Sequence, residues 1–267
     1  MLDTARELGP WILASVALLQ VWAIGLWRRF RKGEIDIHES GMIEIGYGNY
    51  GPSVGLMGTI QAVHKDVFIK AMYVRVTRKR DRAEHMFNWR AMRSPTISLG
   101  NPDQPIEFEI PASFLLKPES PKKYNTFFND DTFVSELNPH VSPIRDQWLD
   151  FKETRIAELR ESHGASVELV LKGDLAEDEL FKEFSKERVV VDAWGRLDRA
   201  FYWDSGEYEL ELVVVGTRPN REWRFAWGFH LPDADADQLR PNSVGVVRTV
   251  CGLKSFYHFA YVPYESA

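Results

Sequence analysis

The chain has 267 residues, with 33 Lys and Arg against 39 Asp and Glu, so its formal net charge is −6 at pH 7. Residues 1–32 carry +3 and residues 33–267 carry −9, and such an acidic domain argues against general nucleic-acid binding, which depends on neutralising phosphates. The single cysteine, Cys251, excludes an intrachain disulfide, and a chain of this length buries a core without one. We expect Cys251 to be a small buried apolar residue.

The first predicted element is a membrane anchor over residues 8–27. This run of twenty residues has no charged side chain, and a helix of that length spans ~30 Å, about the hydrocarbon thickness of a bilayer. Tryptophans lie at both ends of the run, where aromatic rings favour the headgroup zone, and four cations follow it at once. The residues assigned to the anchor and its basic flank are Trp11, Trp22, Trp27, Arg28, Arg29, Arg31 and Lys32.

The charges that flank the run predict its orientation. Positive flanks stay in the cytoplasm, so we expect the N-terminus outside and residues 33–267 in the cytosol. The sequence is therefore interpreted as a single-pass anchor in the cell membrane, residues 1–32, followed by one soluble domain. The alternative, a buried core helix, is disfavoured because only Ser15 and Gln20 interrupt the apolar run.

From residue 34 onward, short segments alternate between apolar and polar residues with period two. This pattern is typical of half-buried antiparallel strands, and many such strands with polar turns predict a mainly β fold, an antiparallel β-sandwich. The predicted strands cover residues 42–47, 54–63, 67–77, 84–91, 106–110, 167–171, 208–214, 223–229 and 256–262.

Helices are expected to be inserted between the strands, on the surface of the sandwich. A serine followed by proline starts a predicted helix over residues 142–162, and an acidic capping pattern starts another over residues 174–186. A third stretch, residues 234–251, is broken at Pro241. The proline-rich residues 117–143 are predicted to form a loop.

One short stretch, Asp204 to Leu210 with the sequence DSGEYEL, resembles the D-x-G-x-Y-x-L entry to a late strand of immunoglobulin-like sandwiches. The resemblance implies an immunoglobulin-like or arrestin-like sandwich in which the Tyr208 hydroxyl makes a corner hydrogen bond. It implies a fold that mostly serves recognition, and it carries no catalytic activity with it.

Two motifs that look like ligand sites are interpreted as structural. Gly46, Gly48 and Gly51 spell G-x-G-x-x-G, but a strand-like run follows where a dinucleotide site needs a helix, so a turn with positive φ explains them better. The aspartates of residues 233–237 lack the glycine and glutamate that a calcium loop requires. No cofactor or metal is therefore predicted, and the aromatic ribbon over residues 223–229 is expected to fill the core.

Four cations, Arg78, Lys79, Arg80 and Arg82, lie between two predicted strands and so at a hairpin tip. Close to a membrane, such a tip is a candidate contact for anionic lipid headgroups or for an acidic partner. An ordinary solvated turn is the alternative.

These observations predict a membrane-tethered cytosolic binding or scaffold module without catalytic activity of its own. Its expected partners are membrane lipid, through the anchor, and another protein, with no nucleic acid. Two alternatives remain open: an enzyme whose carboxylates, for example Asp130, Asp131 and Asp192, assemble only in the fold, and an extracytoplasmic envelope protein.

Overall fold

The computed structural model describes residues 20, 22, 33–93, 108–163 and 174–266. The strands are β1 Glu34–Gly48, β2 Gly51–Val63, β3 Val67–Arg78, β4 Glu84–Arg93, β5 Phe108–Glu109, β6 Phe114–Leu116, β7 Lys122–Asn129, β8 Gly206–Arg218, β9 Asn220–Leu231 and β10 Phe259–Ser266. The helices are α1 Asp131–Val141, α2 Pro143–His163, α3 Asp174–Phe184, α4 Arg188–Arg199, α5 Asp233–Leu239 and α6 Asn242–Val250.

The strands close into an antiparallel barrel. The pairing runs β4-β7-β2-β1-β10-β9-β8-β3, and β3 returns to β4, with Val74 opposite Phe87, so eight strands form a ring. The predicted sandwich is therefore wrong. Period-two alternation indicates that one face of each strand is buried, but it does not distinguish two stacked sheets from one sheet that closes on itself.

The barrel interior is packed with large side chains. Trp223, Trp227 and Phe229 of β9 are buried, which confirms that the aromatic ribbon belongs to the core. The ring of Tyr208 on β8 stacks on Phe229 with centroids 5.0 Å apart. Aromatic side chains of this size fill the middle of a barrel of eight strands, which is just wide enough for its own side chains.

Most strand predictions in the described residues are confirmed, with longer or shifted ends. Five predicted strands coincide with β2, β3, β4, β8 and β9, while residues 42–47 form only the second half of β1. The predicted strand 256–262 begins at Phe259 instead. Of residues 106–110, Phe108–Glu109 form β5, whereas residues 106–107 and the predicted strand 167–171 lie outside the described residues.

The helix predictions are confirmed for α2, α3 and the pair α5 and α6, but two helices were missed. The predicted loop over residues 117–143 is wrong, because β7 and α1 lie there; Asp130 caps α1 by accepting a hydrogen bond from the Thr132 amide at 2.9 Å. Helix α4 buries Val190, Ala193 and Leu197, but its cap residue makes no side-chain hydrogen bond, so no start signal marks it.

The two ends of the barrel differ. At the Gly33 end, where β1 begins, a Cβ on Gly33 would lie 3.0 Å from Val67 Cγ2 and 3.3 Å from Pro219 Cδ, so β1, β3 and the β8–β9 turn meet there. At the other end, called the helical end, the Tyr47 hydroxyl donates to Leu197 O of α4 at 3.1 Å, and Asn242 Nδ2 of α6 donates to Tyr47 O at 2.9 Å.

The predicted anchor, residues 8–27, lies outside the described residues except for Gln20 and Trp22. The same is true of Arg28, Arg29, Arg31 and Lys32 in its basic flank. Among the residues that are described, no helix is both long enough and apolar enough to cross a bilayer.

Candidate functional site

The basic segment forms a hairpin tip, as predicted, but Arg78 is integrated into the fold. Its side chain is only 13% exposed and forms ion pairs with Asp204 at 2.6 Å and Asp81 at 2.7 Å. The hydrogen bond from Arg78 lowers the pKa of Asp81 to about 2. Arg78 therefore joins the tip to the segment between α4 and β8.

The other three cations of the tip also have acidic neighbours. Arg80 lies 3.3 Å from Asp204, while Lys79 and Arg82 each lie 3.9 Å from Glu209. Every cation of the tip is therefore in an ion pair, and Asp204 also pairs with Arg240 at 2.8 Å. The tip also lies at the end of β3 opposite to Val67, and so opposite to Gly33.

Asp130, one of the three candidate catalytic carboxylates, is buried, and both of its carboxylate oxygens have hydrogen-bond partners. Its carboxylate lies 3.1 Å from His85 Nδ1 and accepts hydrogen bonds from the Thr132 amide and hydroxyl. Burial alone would raise the pKa of Asp130, but the hydrogen bonds from His85 and Thr132 outweigh it and hold the pKa below its ordinary value. Asp130 is thus a stable anion that caps α1, and it is unsuited to donating a proton at neutral pH.

The other two candidate carboxylates have different surroundings. Asp131 accepts a hydrogen bond from Asn88 at 2.9 Å and another from Arg90 at 2.8 Å. Asp192 lies in a separate cleft of about 410 Å³, where it is 3.6 Å from Arg188 and also near His140. Each carboxylate therefore has its own set of partners. In the described part of the chain, no three His, Cys, Asp or Glu side chains are grouped so that they could hold a metal ion.

Cys251 is buried, as predicted, at the end of α6. Desolvation by its surroundings raises the pKa of the thiol to about 12. A thiol that stays protonated at neutral pH is a poor nucleophile, so Cys251 has a packing role.

The glycines of the G-x-G-x-x-G segment allow aromatic rings to approach the backbone. A Cβ on Gly46 would overlap Phe259 and Ser53, and a Cβ on Gly51 would overlap the ring of Phe133. The expected positive φ occurs only at Gly51, where it is +79°. The segment is therefore a structural turn at the helical end of the barrel.

Sequence reasoning missed an exposed aromatic surface beside this turn. It consists of four side chains, which are 67%, 86%, 43% and 50% exposed: Tyr50, Phe256, Phe259 and Tyr261. In β10, Phe259 and Tyr261 alternate with the buried Ala260 and Val262, so over these four residues the aromatic side chains face outward and the small ones inward. That inverted alternation was the available signal, but it was interpreted as an ordinary half-buried strand.

Hydrogen bonds fix the backbone under the aromatic surface. The Tyr257 hydroxyl contacts Asn49 Oδ1 in the β1–β2 turn and lies 2.7 Å from the Thr249 hydroxyl of α6. Asn242 donates to His258 O at 2.8 Å and accepts from His258 N at 2.9 Å. The segment that carries Phe256 is thus tied to both the barrel and α6.

An ion pair lies beside Tyr261, at one edge of the aromatic surface. Glu44 on β1 is 1% exposed although it points away from the barrel interior, and its two oxygens each lie 2.9 Å from Arg93. The Arg93 guanidinium lies 3.9 Å from the centre of the Phe127 ring. Tyr261 is adjacent to this pair; burial and then the Glu44 charge raise the pKa of its phenol. The aromatic surface therefore borders a fixed polar network.

Comparison with known proteins gave no match among protein-family models, curated proteins or solved structures.

Proposed function

We propose that this protein is a membrane-tethered binding module whose aromatic surface binds another protein in the cytosol. The observation that carries the proposal is the exposure of four aromatic side chains at one end of the barrel, where hydrogen bonds hold the backbone in place: Tyr50, Phe256, Phe259 and Tyr261. Monomeric proteins scatter single apolar residues over their surfaces, whereas a group of exposed large rings marks an interaction site.

The composition of the surface fits a protein partner. Tyr and Phe are enriched at the centres of protein interfaces, because each ring contributes a large contact area and loses little conformational entropy. The hydrogen bonds of Tyr257 and Asn242 hold the supporting backbone in place. A surface that is ordered before it binds loses less entropy on association.

The position of the aromatic surface suits a tether. The β1–β2 turn, which carries Tyr50, lies at the opposite end of β1 from Gly33, where the sequence leads back to the predicted anchor. An anchor in residues 8–27 would hold the Gly33 end towards the membrane and leave the helical end accessible to a partner.

The proposal is tested by site-specific photocrosslinking of the full chain in its native membrane. A photoreactive phenylalanine analogue at Phe256 should give a discrete adduct, and Tyr50→Ser in the same chain should reduce it. Ile110 provides a matched control, because it is 86% exposed like Phe256 but follows β5, which pairs with β4 and not with β1 or β10.

No adduct at position 256, or the same adducts at positions 256 and 110, would contradict a binding role for the aromatic surface. A reduced adduct with Tyr50→Ser must come with an unchanged amount of folded protein, measured as the fraction that resists brief proteolysis.

A further inference from the structure

The Gly33 end of the barrel carries a second surface, which differs in chemistry from the aromatic one. It combines two exposed apolar side chains with four cations, and we call it the basic rim: Phe68, Leu115, Lys117, Lys122, Lys123 and Arg218. Lys117 directly follows β6, and the other residues come from β3, β6, β7 and the end of β8.

The apolar part of the rim is a row across three strands. Leu115 of β6 pairs with Phe68 of β3, which in turn pairs with Arg218 of β8. Both apolar side chains point outward, and the row borders a cleft of about 650 Å³. Two outward apolar side chains next to an arginine form an amphipathic strip of the kind that enters the headgroup region of a membrane.

The four cations of the rim are exposed, and they outnumber the carboxylates around them. Within the described residues, no carboxylate lies within 4 Å of Lys117, Lys123 or Arg218, and Lys122 lies over the ring of Phe114 at 4.3 Å. Three exposed carboxylates share this stretch of surface: Asp66, Glu119 and Asp36, whose strand partner Gln61 donates a hydrogen bond to Pro118 O. The rim therefore keeps a positive excess on a domain that is acidic as a whole.

The distance along the chain places this rim near the bilayer. Six peptide steps separate Trp27, the last residue of the apolar run, from Gly33, and a fully extended chain covers at most ~20 Å over that length. Gly33 packs against Val67, the neighbour of Phe68. By contrast, the tip at Arg78 lies at the far end of β3, a strand of 12 residues.

We infer that the basic rim docks on the anionic phosphate surface of the membrane, with Phe68 and Leu115 entering the headgroup region. This inference rests on the anchor in the proposed function. It assigns the lipid contact to the rim and not to the hairpin tip at residues 78–82, where every cation is in an ion pair with Asp81, Asp204 or Glu209. Docking would fix the tilt of the barrel and hold the aromatic surface away from the bilayer.

The test uses the full chain reconstituted into vesicles, with a fluorescent probe on a single introduced cysteine. Leu115→Cys reports on the rim, and Met86→Cys on β4 is the matched control, because both native side chains are 47% exposed. Cys251 remains in place, since it is buried. Lipids with a spin label on the headgroup quench a probe that lies at the membrane surface.

In vesicles that contain anionic phosphatidylglycerol, we expect quenching at position 115 to be at least ~3-fold stronger than in neutral phosphatidylcholine vesicles. Salt at ~1 M, or the combined change Lys117→Gln, Lys122→Gln and Lys123→Gln, should return it to the neutral value, because screening weakens contacts between exposed charges. The probe at position 86 should give the same low quenching throughout. The triple variant should keep the parent melting temperature.

Four results would overturn the inference. Quenching at position 115 that ignores lipid charge and salt would show that the rim does not dock on an anionic surface. Quenching that depends on the protein-to-lipid ratio would make the rim an interface between copies of the chain. Release of the full chain from membranes by alkaline extraction would refute the anchor, and with it both the proposed function and this inference. A chain that stays in the membrane but shows no quenching at position 115 would refute this inference alone.

Discussion

At the scale of single residues, Tyr208 joins a local motif to the barrel core. Its hydroxyl donates to Asp204 O at 2.6 Å, which is the corner hydrogen bond that the resemblance of residues 204–210 implied. The bond requires only a tight entry into a strand, and a barrel provides such an entry as well as a sandwich does. The ring is completely buried against Phe229, so its packing and its hydrogen bond can be separated experimentally.

We predict that Tyr208→Phe lowers the free energy of unfolding by about 1 kcal/mol, because it removes one hydrogen bond and keeps the ring. Tyr208→Ala should cost about 3–5 kcal/mol, since it also leaves a cavity in the core. Urea denaturation of the two variants measures both effects. Equal losses for Phe and Ala would show that ring packing contributes nothing beyond the hydrogen bond.

At the scale of elements, the β1–β2 turn depends on Gly51. We predict that Gly51→Ala destabilises the protein by about 3 kcal/mol, because the new methyl group must adopt a positive φ and also overlaps the ring of Phe133. Gly41 is a matched control with φ of +84° and nothing within 4 Å of an added Cβ, so Gly41→Ala should cost only about 1 kcal/mol. Thermal unfolding of both variants measures the difference. Similar losses of stability would show that overlap with the Phe133 ring does not contribute to the cost of Gly51→Ala.

The start of α1 provides a prediction that depends on pH. The lowered pKa of Asp130 means that its carboxylate stabilises the fold fully above its unfolded-state pKa of about 3.9, and this stabilisation is lost as pH falls through the lower folded-state value. Asp130→Asn should therefore cost about 1–2 kcal/mol at pH 7, because a neutral amide replaces the charged acceptor of the His85 and Thr132 hydrogen bonds, and the gap to the parent should narrow below about pH 4. Urea midpoints measured from pH 3 to pH 7 follow this gap.

Asp192→Asn is the control for that series, because Asp192 is an exposed carboxylate that pairs weakly with Arg188. Its effect should stay below about 0.5 kcal/mol at every pH. If the difference in free energy of unfolding between the parent and Asp130→Asn stays constant with pH, the charge of Asp130 does not contribute to stability.

The elements were more predictable than their arrangement. Period two in residues 208–214 and 223–229 reflects a buried face that any half-buried strand has, so β8 and β9 follow from the sequence. The ring closes through the pairing of β4 with both β3 and β7, and that choice depends on the summed twist and stagger of all the strands. The aromatic surface could not be predicted either. Alternating aromatic residues indicate that one face of a strand is buried, but they do not show which face it is until the side chains inside the barrel are known.

At the scale of the whole molecule, the predicted anchor would determine on which side of the membrane the barrel lies. We predict that a reporter fused after Ala267 is active in the cytosol, because the four cations of residues 28–32 favour the cytoplasmic side. Neutralising Arg28, Arg29, Arg31 and Lys32 should weaken that preference. A reporter that works only outside the membrane would place the barrel on the other side.

The long strand β1 also determines how the barrel responds to force. It joins Gly33 to the turn beside the aromatic surface, and it pairs along its length with β2 and in its second half with β10. Tension applied between a membrane and a bound partner would pull along β1, so the hydrogen bonds to both neighbours would be loaded together in shear instead of being opened one after another. Because resistance to forced unfolding is set by the unfolding rate, a chain stretched between these two points should outlast one stretched across the β8–β9 hairpin.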